Sequence, residues 1–265
     1  MRQIHGIRDM AAESVLVAGG GAAILLQIAD ERVGLGVAQH SDFASRPLDR
    51  LHATLRYVYV QVYGTGAERR FVSRAVNRAH RPVRADAADG RPAYSAFDPQ
   101  LQLWVAATLY RTALVLHERV IGPLDEKVAD RVYRQYAVLG TGVGMPAALW
   151  PADRAAFETY WNESLAALEV SDEARRVARD LLHPRVGPVW LRAAMPLARL
   201  MTAGLLPESV RAAYRLPWSD ARQRRFDAVI SVTRLVWPRL SRGIRHLPAI
   251  RCLRQVRAEM REAAG

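Results

Sequence analysis

Apolar residues recur at helical spacing along almost the whole chain. Between Leu48 and Val62, the side chains of Leu48, Leu51, Leu55 and Val58 fall on one side of a helix, because residues three and four apart share a face. Ala67 to His80 predicts a second helix, and Pro82 blocks its continuation. Asp98 followed by Pro99 reads as an N-cap and first helical residue. The helix they open runs to Val120, where Gly122-Pro123 stops it. Further helices are predicted over Asp125–Leu139, Pro151–Leu168, Ser171–Leu182, Trp190–Leu205, Pro207–Tyr214 and Ser219–Val236, and Pro248 is expected to break the tail. Val58 to Tyr63 is rich in strand-forming residues but continues a helical stripe. The polar loop Arg84–Pro92, with Asp89-Gly90, has room for a small hairpin. The pattern predicts an all-α protein, a single multi-helix bundle of about ten to twelve helices. Residues 1–240 form its helical domain and 241–265 a basic C-terminal helical tail.

Composition narrows the class. At 265 residues, half of them apolar, the chain is not disordered. A body of that size buries about three quarters of its unfolded surface, enough to enclose a cofactor. Cys252 stands alone, which excludes an internal disulfide and a multi-cysteine metal site and fits a reducing compartment. The net charge is +12, yet Lys127 is the one lysine among 38 basic residues. Such skew points to genome-wide bias, and the arginines are spread along the chain, with mild clusters at Arg222–Arg225 and Arg239–Arg261. A solvated basic face is therefore favoured over nucleic-acid binding. Residues 11–29 and 186–207 are apolar, but Glu13, Arg192 and Arg199 interrupt them, so no transmembrane segment or secretory signal is expected. The expectation is a cytoplasmic protein, with peripheral membrane contact left open.

Two glycine clusters invite a phosphate-binding reading. Gly19-Gly20-Gly21 follows Val15-Leu16-Val17-Ala18 like a strand and turn, but no second strand follows, as a dinucleotide fold requires. Close approach of helix backbones is the better reading of those glycines. Gly140-Thr141-Gly142-Val143-Gly144 lacks the Lys-Ser/Thr ending of a phosphate loop.

The chemistry-bearing pieces are Arg50-Leu51-His52-Ala53-Thr54 and Val76-Asn77-Arg78-Ala79-His80-Arg81-Pro82-Val83. Arg50 and Thr54 can point a cation and a hydroxyl into one pocket. His80, at a helix end, is either a capping histidine or a metal ligand. Thr54 is either a pocket hydroxyl or bonded back to its own helix. Their order resembles the rubber-oxygenase/MpaB-type family of helical haem proteins, of which latex-clearing proteins are one kind. Further matching pieces are Gly36-Val37-Ala38-Gln39-His40-Ser41-Asp42-Phe43, Tyr94 to Pro99 with Leu103-Trp104-Val105, Gly122-Pro123-Leu124, Leu197 to Pro207, and Leu216-Pro217-Trp218.

That resemblance implies a haem pocket inside the bundle and a haem b whose iron is held by His80, with residues 1–240 as a haem-oxygenase-like domain. It implies Arg50 and Thr54 beside the iron or haem edge, as catalytic and cofactor-binding residues. It also implies dioxygen and a hydrophobic small-molecule substrate, isoprenoid or lipid-like, with oxidative cleavage of a carbon–carbon double bond as the characterised chemistry. The ligand's second ring nitrogen should donate to a carbonyl or carboxylate, and Trp104, Tyr94 and Leu101 are candidate channel residues. One departure matters: rubber-cleaving relatives are expected to carry lysine where Ala53 stands, which points to another substrate or distal arrangement. His40 either lines the pocket or caps the helix carrying Arg50, and His117 reads as structural. A haem carrier or sensor, or a helical scaffold without cofactor, are the rival readings.

Overall fold

In the computed structural model, which describes residues 4–40 and 47–263, the expected caps start the expected helices. The chain runs through α1 (Ile7–Ala12), α2 (Gly20–Ala29), α3 (Glu31–His40), α4 (Pro47–Tyr63), α5 (Gly66–His80), α6 (Pro99–Val120), α7 (Glu126–Tyr136), α8 (Val138–Thr141), α9 (Arg154–Ala166), α10 (Asp172–Leu182), α11 (Val189–Leu205), α12 (Glu208–Ala213), α13 (Asp220–Val236), α14 (Arg242–Arg245) and α15 (Leu247–Glu262). The Asp98 carboxylate accepts from Gln100 N at 2.8 Å to open α6, and Ser171 Oγ accepts from Ala174 N at 3.1 Å to open α10. A capping box, not anticipated, starts α5: Thr65 N donates to Glu68 Oε2 at 2.8 Å, and Glu68 N donates to Thr65 Oγ1 at 3.3 Å. The strands described are β1 (Arg84–Ala85) and β2 (Tyr94–Ser95), which pair antiparallel with Ala85 opposite Tyr94. The all-α expectation holds, with the small hairpin where the polar loop allowed it.

α2 runs through the middle of the core. Ala22, Leu25, Leu26, Ile28 and Ala29 on it are all buried, and it packs against α3, α6, α10 and α11. The preceding Ser14–Gly19 is a 3-10 turn rather than a strand. A Cβ on Gly21 would lie 2.2 Å from Thr202 Oγ1 of α11, and one on Gly19 2.7 Å from a methyl of Thr112 on α6. These glycines serve close helix packing. Trp104 of α6 donates its indole N–H to Leu26 O at 3.2 Å and stacks on Trp161 of α9 at 5.5 Å between ring centroids.

One boundary expectation needs correction: the predicted Asp125–Leu139 helix breaks at Ala137, between α7 and the single turn of α8. The break expected at Pro248 falls just before it: α14 ends at Arg245 and α15 starts at Leu247, with Pro248 in its first turn, where a missing backbone N–H costs nothing.

That last helix packs along α4 and α5, burying Ala249 and Val256, and Arg257 Nε meets Glu68 Oε1 at 2.8 Å. The turn leading into it is tied to the N-terminus. Glu13 is buried and accepts from Trp237 Nε1 at 2.7 Å, pairs with Arg245 at 3.1 Å and faces His246 Nε2 at 3.4 Å. Among the described residues no single helix is long and apolar enough to cross a membrane.

Candidate cofactor site

α4 and α5 pack together as a hairpin joined at Gly64-Thr65. Arg50 lies near the start of α4 and His80 is the last residue of α5, so the hairpin brings them level at its open end. They interact: after burial, the Arg50 charge is the second cause that holds the His80 imidazole below its usual pKa. The ring is therefore neutral at pH 7, the form that binds metal. Burial lowers the Arg50 pKa from that of a free guanidinium, although part of its side chain reaches solvent. An arginine stays charged regardless.

His80 is half-buried and meets the Phe97 ring edge-on, with centroids 6.4 Å apart. Its Nδ1 is buried and makes no hydrogen bond. The carbonyl or carboxylate expected to receive that nitrogen's proton is not bonded to it. Three residues earlier on the same helix face, Asn77 Oδ1 is also buried without a hydrogen bond. The i, i+3 spacing in Asn77-Arg78-Ala79-His80 is the signal by which the sequence could have offered Asn77.

Thr54 is exposed, and its hydroxyl donates to Arg50 O at 3.0 Å, the back-bonded alternative. Ala53 is exposed beside it. His40 ends α3 rather than opening α4, and its Nε2 is 3.1 Å from Tyr94 Oη. Tyr94 in turn donates to Gln39 Oε1 at 2.6 Å. With the tyrosine proton given to Gln39, His40 Nε2 supplies the proton to the tyrosine oxygen, which leaves Nδ1 as the ring's lone-pair nitrogen. Of the expected channel residues, Trp104 and Leu101 are core residues on α6, and Tyr94 is buried under this small network. The matched residues Ser41, Asp42 and Phe43 lie outside the described residues.

His117 is structural in place but not in bonding. It is 1% exposed, and neither ring nitrogen makes a hydrogen bond. Burial lowers its pKa, only partly opposed by the Glu13 charge and the Gly122 backbone. Below about pH 6.5 the unfolded chain takes up a proton that the folded chain refuses. Stability should therefore fall on acidification, by at most about 1.4 kcal/mol per pH unit from this one group. Chemical denaturation from pH 7.5 to 5 should show a shallower slope in His117→Gln than in wild type. Equal slopes would remove His117 as the cause.

Among the described residues no three His, Cys, Asp or Glu side chains converge to hold a bare ion. A porphyrin brings its own equatorial nitrogens and asks the protein for an axial ligand and apolar walls. Here the described residues offer one imidazole, the Phe97 ring beside it and the Arg50 cation, too few donors for a bare ion.

Comparison with known proteins gives the family. The sequence pattern of the family described as "ER-bound oxygenase mpaB/B'/Rubber oxygenase, catalytic domain" matches residues 7–235. Two relatives, one from Mycobacterium bovis and one from Mycobacterium tuberculosis, both described as uncharacterized, are each 40% identical over 219 residues, covering 81% of this chain and 86% of theirs. No solved structure is a significant match. The match spans α1 to the end of α13, including the whole α4–α5 hairpin with Arg50 and His80, so the chain belongs to the mpaB/rubber oxygenase family.

Proposed function

We propose that the protein is a haem b-dependent oxygenase that uses dioxygen on a hydrophobic, unsaturated small molecule, and that His80 is the protein's ligand to the haem iron. The observation that carries this reading is the half-buried His80 imidazole at the open end of the α4–α5 hairpin, its Nδ1 buried without a hydrogen bond, with Arg50 level with it. The family match supports oxygen chemistry, and the haem belongs to this proposal.

Haem, when bound, supplies the activation of dioxygen, which no side chain performs alone. The chain's residues do the rest. His80 offers Nε2, and its Nδ1–H turns to Asn77 Oδ1, which satisfies two buried atoms together and fixes the ring's tautomer. Arg50 presents a permanent cation, suited to a propionate or to negative charge growing in the transition state. Thr54 keeps its lone pairs free while donating to Arg50 O, so it serves as an acceptor or turns to donate. Phe97 walls the imidazole. Ala53, short and neutral, leaves space where a lysine would reach over the site. That space favours a substrate other than rubber.

The test is expression with haem supply. Wild type should show a Soret band and consume oxygen only with an unsaturated co-substrate. Asn77→Ala should keep the fold and weaken haem retention about 10- to 100-fold, read by transfer to apomyoglobin. Pigment without oxygen uptake would make the protein a carrier or sensor. A colourless wild type would end the haem reading.

A further inference from the structure

The outer surface of the α13–α15 corner has a composition unlike the rest of the protein. Between Asp227 and Glu259 there are seven arginines and neither an Asp nor a Glu. The same stretch carries much of the exposed apolar surface: Val232 is 61% exposed, Leu235 59% and Ile244 57%, joined by Val236, Leu247 and Ile250.

The Glu13 tie places these side chains around one corner. Trp237, Arg245 and His246 all turn inward to the same carboxylate. Their chain neighbours Val236, Ile244 and Leu247 are left exposed. On α13, Val232, Leu235 and Val236 share one face. On α15, Leu247, Ile250, Arg251 and Arg254 fall at i, i+3, i+4 and i+7, one stripe, while Ala249 and Val256 face inward. Arg234, Arg242, Arg251 and Arg254 are exposed and form no ion pair among the described residues, whereas Arg245 and Arg257 are paired to Glu13 and Glu68.

We propose that this corner docks the protein on an anionic bilayer surface. Exposed aliphatic side chains enter the boundary between headgroups and acyl chains, and the unpaired guanidiniums bind lipid phosphates. Charge complementarity selects the occupant. A second copy would set these four unpaired arginines against four more. A nucleic acid would use the arginines but leave six aliphatic side chains without a role. Docking here would also bring a site for hydrophobic substrates to the phase where they dissolve, but the proposal does not depend on haem.

The experiment is flotation of the full chain with vesicles of phosphatidylcholine alone or mixed with phosphatidylglycerol. Wild type should float with the mixed vesicles, far less with the neutral ones, and detach as salt rises. Arg242→Gln, Arg251→Gln and Arg254→Gln should each lower the partition coefficient about fivefold. Leu235→Ser with Ile244→Ser should lower it at any salt concentration. All these side chains are exposed, so unchanged thermal melting of each variant verifies folding. Failure to float with phosphatidylglycerol at low salt overturns the proposal, as does equal flotation of the variants. Binding of duplex DNA without vesicle binding, or a dimer that Leu235→Ser dissociates without vesicle binding, overturns it as well.

Discussion

His80→Ala should yield a folded protein that takes up no haem, its Soret band lost while its circular dichroism stays that of wild type. The variant should fold because His80 contributes little to the native state. It is half-buried at the end of α5, its buried Nδ1 makes no hydrogen bond, and its ring meets Phe97 only edge-on at 6.4 Å. Removing such a side chain costs on the order of 1 kcal/mol. Haem binding should be lost because the iron loses its proposed ligand. His117 is sealed in the core, Ala53 offers no donor, and His40 ends α3 with its Nε2 bonded to Tyr94 at 3.1 Å. Two further measurements make the result specific. Added imidazole should restore a Soret band in His80→Ala by filling the vacated ligand position. His40→Ala should leave the wild-type band unchanged. An identical spectrum in His80→Ala would move the iron's ligand elsewhere and take the proposed function with it.

What could be read from the sequence divides along a physical line. Elements set by neighbours in the chain were legible. Asp98-Pro99 and Ser171 cap the helices they were expected to cap, and the apolar stripe from Leu48 to Val62 is the inward side of a helix. Arg50 and His80 were put side by side by the family resemblance and not by any local pattern; they fall level because a helical hairpin brings together residues equally far from its turn. Thr54 had two local options for its hydroxyl, and its own helix satisfies it. Pro248 was legible as well: proline is barred from a helix interior but suits a first turn, and α14 gives way to α15 just before it. Least legible was Glu13, whose partners Trp237, Arg245 and His246 lie more than two hundred residues away in sequence. No local pattern announces a contact of that range.

Glu13 is where a single substitution should most damage stability. Its carboxylate is nearly buried, with 8% side-chain exposure, and Arg245 beside it has 16%. Glu13→Ala removes the charge and leaves the guanidinium, the Trp237 N–H and His246 facing an apolar hole. Breaking one side of a buried ion pair costs about 3–5 kcal/mol, because the remaining charge has lost its partner and cannot regain water. Against a total stability of about 5–15 kcal/mol, that is a large share. The melting temperature should fall on the order of 10 °C. Glu13→Gln should cost less, since an amide oxygen still accepts from Trp237 Nε1 while the charge is gone. Arg245→Met in the Glu13→Leu background should recover much of the loss, since replacing both partners removes the stranded charge. The same variants separate two roles of the corner. If Glu13 only anchors the turn, Glu13→Ala should release α14 and the start of α15. Hydrogen exchange at 240–250 should then rise well before the α2–α6 core opens. Uniform acceleration across the chain would show instead that the tie is part of the global core. A melting temperature unchanged from wild type would mean that Glu13, Arg245 and Trp237 do not meet in solution.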